Sequence, residues 1–584
     1  MLDGGPVLNR IRRRYESALS ALEVGARPAA ALRDAINEGY DAGKLRADVM
    51  AGITVGIVAL PLSMALAIAS GMPPQHGLYT AIVAGFLGLL GGSATQISGP
   101  TAAFVVILAP IAAKYGPGGL MVATVMAGVQ LALFGIGRLG RLIQWIPHPV
   151  TTGFTAGIGV VIATLQLKDF LGLHVTSMPE HYVERVAVLV DALPSTSVPS
   201  LGLGLFTLAV LLGWPKLNTR VPAPLVALAA AAVVAAVGGL DVETIGSRFT
   251  YDGGRGIPQT LPGFAPPWSY AGGDGQPLQL TFGMVEELFP SAFAIAMLGA
   301  IESLLSAVVA DGMAGSRHDP DAELVAQGAA NIIGPFFGGF ASTGAIARTA
   351  TNIRAGGRTP VASAVHAVFV LVAMLALAPA LAYLPMPALA ALLLLVAYNM
   401  SDVKHFRHVL RVAPKSDVSV LLACFVLTVL FDMVVAVTTG IMLAALLFMR
   451  RMAEISGARV VEDDNHPALR AGLPEGVVLY EIAGPLFFGA AQKAMGTLET
   501  VASRAKVIIL DMESVPAMDA TGLVGLESAL ARLDGTGTVV MLAGVQAQPR
   551  KLLDKAGLDE AHLVYVFDSV EAAVEDARRR VRPG

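Results

Sequence analysis

The hydrophobic positions of this chain fall in long blocks, not in the alternating or amphipathic patterns of a soluble core. Runs of roughly 17–25 apolar residues with few charges, punctuated by Gly and Pro, read as membrane-spanning helices. About fourteen are predicted. The first set covers 49–70, 76–92, 100–113, 118–137, 149–171, 199–213 and 222–238; the second covers 286–310, 323–340, 343–355, 358–378, 385–399, 416–432 and 434–450. Little except Asp432 divides the last two. The third span of each set is short, one following Gly91-Gly92-Ser93 and Ser98-Gly99-Pro100, the other Gly338-Gly339 and Ser342-Thr343-Gly344. Matched short segments broken by Gly and Pro point to an inverted-repeat transporter with its site between half-helices. Seven is odd, so the two sets must be inverted relative to each other. The expected fold is an α-helical polytopic membrane protein with a 7+7 inverted repeat.

After Arg451 the pattern changes. Short β-rich runs at 476–482, 506–510 and 538–542 alternate with helical stretches near 489–503, 521–533 and 547–556, which predicts a compact α/β domain. The domain plan is then a cytoplasmic N-terminal region 1–46, a membrane domain 47–452, a polar linker 453–473 and a soluble domain 474–584.

Composition supports this division: 54% of residues are hydrophobic and only 14% charged, against about 25% in soluble domains. A net charge of −4 gives no reason to expect nucleic acid. The single Cys424 lies in an apolar stretch, so neither a disulfide framework nor a thiolate metal site is expected. No Walker A motif appears. Gly135-Ile136-Gly137-Arg138-Leu139-Gly140 fits G-x-G-x-x-G but ends a span, so dinucleotide binding fails on context. His76, His148 and His366 lack ligand spacing, and no nucleophile–base pair suggests catalysis. No cofactor is expected. The first 45 residues carry six arginines without an apolar run, a cytoplasmic lead-in and not a cleaved signal. Most basic loops share one side with both termini, which places the termini in the cytoplasm of an inner (plasma) membrane; Lys114 and Lys168 oppose this.

Arg348 is the most informative residue, lying a few positions into the second short helix. An ionisable residue at that depth costs about 2.5–3.5 kcal/mol on insertion scales and is a functional candidate. Half-helix N-termini supply unpaired N–H groups and a positive dipole end, suited to an anion. The other reading is an Arg snorkelling to a helix end near Arg354 and Arg358. Glu302, the sole charge within 292–310, is a candidate for proton or cation coupling, or else a structural carboxylate paired to Arg348 or to backbone. Ser98, Gly99, Thr101 and Ala102 offer donors at the first short helix, where Pro100 suits a first turn. Ser63, beside Pro61 in the first span, could line the same cavity. Each of these polar residues is otherwise helix-packing glue, as are Gly153 and Gly157.

These residues resemble the SulP family of anion transporters. The markers are Ala51-Gly52-Ile53-Thr54-Val55-Gly56 with Leu60-Pro61, Pro74-Gln75-His76-Gly77-Leu78-Tyr79, Ser98-Gly99-Pro100-Thr101-Ala102, the 300–306 run around Glu302, and Ala347-Arg348-Thr349. The resemblance spans about 48–577. It implies a core domain (spans 1–4 and 8–11) moving against a gate domain (5–7 and 12–14), usually in a homodimer. It seats the anion between 98–104 and 342–349, with Arg348, Thr343 and Ala347 at the second helix and Glu302 as the acidic residue of span 8. Some members carry Ser where this chain has Ala347, so a hydroxyl is missing there. The stretch 511–523 resembles a STAS domain, with Thr521 at the position of a phosphorylated serine. That residue is then a regulatory site or simply a helix-start hydroxyl, and a cytoplasmic protein is a possible partner of the domain. The stretches 98–108, 153–172, 296–313 and 484–490 resemble the bacterial C4-dicarboxylate branch most. The implied function is proton-coupled uptake of succinate-type dianions, with sulfate or bicarbonate transport, sodium-linked or not, as the alternative.

Overall fold

The structure, a computed structural model, describes residues 28–581 apart from 144–145, 176–177, 180, 218–220, 252–253, 432, 462–471, 488–490, 492–493, 497–504, 535–536 and 559–563. It divides into two compact units, Met1–Ile441 and Met442–Gly584. The first is helical: α1 (Ala30–Asn37), α2 (Ala42–Ala69), α3 (Pro74–Leu87), α4 (Ala102–Ile136), α5 (His148–Leu171), α6 (Tyr182–Ala192), α7 (Val198–Leu217), α8 (Ala223–Val237), α9 (Phe282–Ala314), α10 (Pro320–Ile333), α11 (Ile346–Arg354), α12 (Val361–Leu381), α13 (Met386–Ser401), α14 (Val403–Val412), α15 (Lys415–Leu430) and α16 (Met433–Ile455), the last running on past the division.

Every predicted span falls on one of these helices. Eight segments among the described residues are long and apolar enough to cross a membrane. One of them, α4, holds two predicted spans joined at Gly116, whose φ of 70° breaks the helix. A side chain at Gly116 would also overlap the backbone of Gly272, so the kink demands glycine twice over. Prolines open several helices, Pro74 at the first turn of α3 and Pro147, Pro222, Pro385 and Pro414 at the caps of α5, α8, α13 and α15.

Small residues set the packing. Gly52 and Gly56 of α2 bring that helix against Ala362, Val365 and Phe369 of α12, while Gly128 of α4 meets Asn331 and Gly328 of α10. Gly153 and Gly157 of α5 lie against Leu421, Cys424 and Thr428 of α15, which is the close helix contact expected of that spacing.

Two short strands cross the middle of this unit. β1 (Ser98–Gly99) precedes α4, and β4 (Thr343–Gly344) precedes α11; they pair antiparallel, Ser98 opposite Gly344 and Gly99 opposite Thr343. Between them in sequence lies the hairpin β2 (Thr250–Tyr251) and β3 (Gly254–Arg255). The β1–β4 pair is the point where the two inverted sets meet. Pro100 therefore lies in the extended approach to α4 and not in its first turn.

The second unit carries a five-stranded sheet in the order β5 (Gly457–Val460), β6 (Val477–Ala483), β7 (Val507–Asp511), β8 (Val539–Ala543), β9 (Tyr565–Phe567). Only β5 is antiparallel. Helices α17 (Ala520–Asp534), α18 (Ala547–Ala556) and α19 (Val570–Val581) complete it, with apolar layers on both sheet faces. Residues 453–473, read as a polar linker, contain in their described part the end of α16 and strand β5. The predicted helix near 489–503 lies mostly outside the described residues, as do residues 1–27 and Asp432.

Candidate functional site

The two half-helices begin without a side-chain cap. Thr101 and Ala345 precede α4 and α11, and neither accepts a hydrogen bond from the first turn. Asp41, Thr281 and Asp319 do take first-turn N–H groups of α2, α9 and α10, whereas α3, α5, α8, α12, α13 and α15 also start without a side-chain cap. Uncapped first turns leave orphan N–H groups and the positive end of the helix dipole pointing where β1 and β4 cross. That is the geometry of an anion seat.

Arg348, in the first turn of α11, is 2% exposed. Its Nη2 donates to Ser63 Oγ at 3.1 Å and to the Pro100 carbonyl at 3.0 Å. Its Nε and Nη1 are buried without a partner among the described residues. The guanidinium does not snorkel; it reaches back across α11 to α2 and the approach to α4. No ion pair joins it to Glu302. Instead Glu302 Oε2 accepts from the Thr101 hydroxyl at 2.9 Å, tying α9 to the start of α4. A buried guanidinium with no acidic partner among the described residues carries a charge that the protein itself leaves uncompensated there.

The structure brings together most of the residues singled out in the sequence. Ser63, Ser98, Gly99, Ala102 and Thr343 are buried around the crossing, with Thr101 half-buried. Ala347 and Ile346 are exposed, so the open surface at the crossing is the first turn of α11, with Arg348 behind it. Thr343 is engaged structurally: it donates to the Gly299 carbonyl at 2.9 Å and shares a 2.7 Å hydrogen bond with Ser303. In the second unit, Thr521 is exposed near the start of α17, where Asp519 Oδ1 accepts from Gly522 N at 2.8 Å and so acts as the cap.

Sequence reasoning missed a polar stripe on α10. Glu323, Gln327 and Asn331 recur every fourth residue and are all buried. Glu323 accepts from Gly92 N, Ser93 N, Gln96 Nε2 and Gln327 Nε2, at 3.0, 3.2, 2.7 and 2.9 Å. Gln327 Nε2 also donates to Ser98 Oγ at 2.6 Å. Asn331 donates to the Ser342 carbonyl at 2.9 Å and accepts from Ser342 N at 2.8 Å. The stripe at i, i+4 and i+8 inside an apolar run was the available signal.

Comparison with known proteins covers both units of the chain. The model of the Sulfate permease family matches residues 45–424, and that of the STAS domain residues 469–573. The Bacillus subtilis protein described as "Putative sulfate transporter YvdB" is 43% identical over 89% of this chain and 95% of its own. The bicarbonate transporter BicA of Picosynechococcus sp. is 30% identical over 88% and 91%. Among solved structures, the murine Slc26a9 anion transporter in its inward-facing state superposes with a TM-score of 0.81 at 19% identity, over 94% of each chain, a likeness of fold. The transmembrane domain of a cyanobacterial BicA gives 0.58 at 27% identity, over 69% of this chain and 98% of that one.

Proposed function

The chain belongs to the sulfate permease family and is an anion transporter, and we propose that it carries a small oxyanion on the uncapped first turns of α4 and α11, with Arg348 as the fixed positive charge behind them. The observation that carries this reading is the Arg348 guanidinium, buried with two unpartnered donors where two helix N-termini converge. Backbone N–H groups touch the anion; Arg348 sets the potential that draws it in.

The compact inorganic oxyanions fit this seat best. One buried guanidinium and two helix ends focus on a single point, whereas a C4-dicarboxylate spreads two charges along a chain. The relatives described above bear the words sulfate and bicarbonate, not a dicarboxylate. Proton-coupled uptake of C4-dicarboxylates is the second reading. It is supported by Glu302, which a proton on its carboxyl would turn into a donor for the second carboxylate, and by the resemblance in 98–108 and 296–313. In either case Glu302 is the coupling residue, for protons or for sodium.

The helices divide into a core (α2–α4 and α9–α12) and a gate (α5, α7, α8, α13, α15 and α16) that shift against each other, in a homodimer of the plasma membrane with both termini cytoplasmic. The STAS unit offers a cytoplasmic protein a docking module in which Thr521 is open to phosphorylation.

The test is uptake into proteoliposomes of labelled sulfate, bicarbonate and succinate, each with and without an inward proton or sodium gradient. Sulfate or bicarbonate accumulation, lost in Arg348→Ala while insertion persists, supports the leading reading. Gradient-driven succinate uptake alone replaces it with the second. Transport unchanged in Arg348→Ala removes the anion seat from this crossing.

A further inference from the structure

α14 carries its charges on one side. Successive residues of a helix turn by about 100°, which sets Lys404, Arg407, His408 and Arg411 within a single arc of about 100°. All four are exposed. His405, Phe406, Val409 and Leu410 share the opposite side and are half-buried. What each side meets explains the division. Phe406 lies against Phe425 of α15, ring centroids 5.4 Å apart, and His405 against His148 of α5 at 5.1 Å. The apolar side is taken up by the protein, so the helix cannot roll to hide its basic side.

Nor can it leave the plane in which its neighbours end. Only Asp402 separates α14 from α13, and only Ala413 and Pro414 separate it from α15. Asp402 makes the first corner, with a φ of 30° and a carboxylate that caps His405 N. Both neighbours are apolar helices that coincide with predicted spans. Tyr398, one turn before the corner, is 62% exposed, and an exposed tyrosine at the end of a span marks the headgroup level. Lys415, exposed at the start of α15, adds a further cation. No acidic residue occurs from Val403 to Ser416. Lys404, Arg407, Arg411 and Lys415 form no ion pair among the described residues. Cations held unpaired in that plane meet the phosphates of the surrounding lipid.

We propose that the exposed side of α14 is a binding surface for the headgroups of anionic phospholipids. The helix is packed on α5 and α15, so a lipid bound there holds these helices at the interface. That the held helices are the gate rests on the function proposed above; the binding itself does not.

The test is thermal melting of the full-length protein in a neutral detergent, with phosphatidylglycerol, phosphatidylcholine or inorganic phosphate added. Phosphatidylglycerol is expected to raise the melting temperature and the other two to leave it unchanged, because a ligand of the folded state stabilises it. The triple variant Lys404→Gln, Arg407→Gln, Arg411→Gln is expected to need about 100-fold more phosphatidylglycerol for the same shift, about fivefold for each charge removed. Arg33→Gln, Arg46→Gln and Arg317→Gln together neutralise three exposed cations on other elements and are expected to leave the response in place. A response kept in the α14 variant, or lost equally in the second variant, overturns the proposal. An equal shift with inorganic phosphate also overturns it, since the surface would then serve free anions and not lipid. Where the triple variant does not fold, Arg407→Gln alone decides by its fivefold shift. If the protein moves no anion in proteoliposomes, the function proposed above fails, while the melting comparison still decides this one.

Discussion

Gly99 lies so close to Arg348 that a methyl group built on it would overlap the guanidinium Nη1. The absence of a side chain at 99 is therefore what lets the charge reach the crossing of β1 and β4. Gly99→Ala is expected to push the guanidinium off Ser63 and the Pro100 carbonyl and to lower uptake by about 100-fold, as misplacement of a reacting group by an ångström does. Uptake in proteoliposomes, normalised to inserted protein, checks it; activity within a few-fold of wild type would contradict the tight fit.

Lysine at 348 keeps the charge but not the planar fork that meets Ser63 and Pro100 together. Arg348→Lys is expected to retain a measurable rate, on the order of one tenth of wild type, where Arg348→Ala retains none. The ordering is the point: a lysine variant as dead as alanine would mean that contact geometry, and not the field, holds the anion.

Glu302 accepts from Thr101, so the carboxylate proposed for coupling and the residue that precedes α4 are joined by one hydroxyl. In Glu302→Gln, accumulation against a gradient is expected to vanish while one-for-one anion exchange continues, because the seat is intact and only the coupled charge is gone. Loss of both together would make Glu302 structural.

Gly116 combines a left-handed φ with contact against Gly272. Gly116→Ala is expected to lower stability by about 1–3 kcal/mol, read as a lower melting temperature in detergent. A melting temperature unchanged from wild type would show that the kink tolerates a side chain.

In the second unit, Asp519 and not Thr521 caps α17. Asp519→Ala is expected to cost about 1 kcal/mol, and Thr521→Ala close to nothing, by thermal melting of the full chain. Equal effects would return the cap to Thr521.

The spans were legible because a membrane segment must be apolar over its whole length, whatever it packs against. The half-helices were legible because Gly and Pro break such a run at only a few places, and Arg348 because a charge inside one stands out. What remained hidden depends on partners. Thr343 reads as a free hydroxyl until α9 places Ser303 and the Gly299 carbonyl against it. Gln327 reads as one more polar residue until the fold sets it between Glu323 and Ser98. The joining of two spans into α4 was invisible because a glycine that ends a helix and one that bends it look alike in sequence. α6 and α14 went unseen because both are short and polar on one face, and β5 because four residues carry too little pattern against a polar background. The dicarboxylate reading came from likeness along four stretches; the relatives found by comparison carry other substrates in their descriptions.

The pairing of Ser98 with Gly344 joins residues about 245 positions apart. At roughly 5–20 residues per second, a ribosome needs about 12–50 s to make the second after the first. During that interval Gln96, Ser98 and the first turn of α4 lack the partners that α10 and β4 will bring. Buried polar groups in lipid are costly while unpaired. The nascent chain must therefore shelter this segment, at the translocon or at the water interface, until its counterpart is synthesised. Assembly of the proposed seat is in this sense a late event, and a ribosome stalled before β4 leaves a chain in which the crossing of β1 and β4 has not formed.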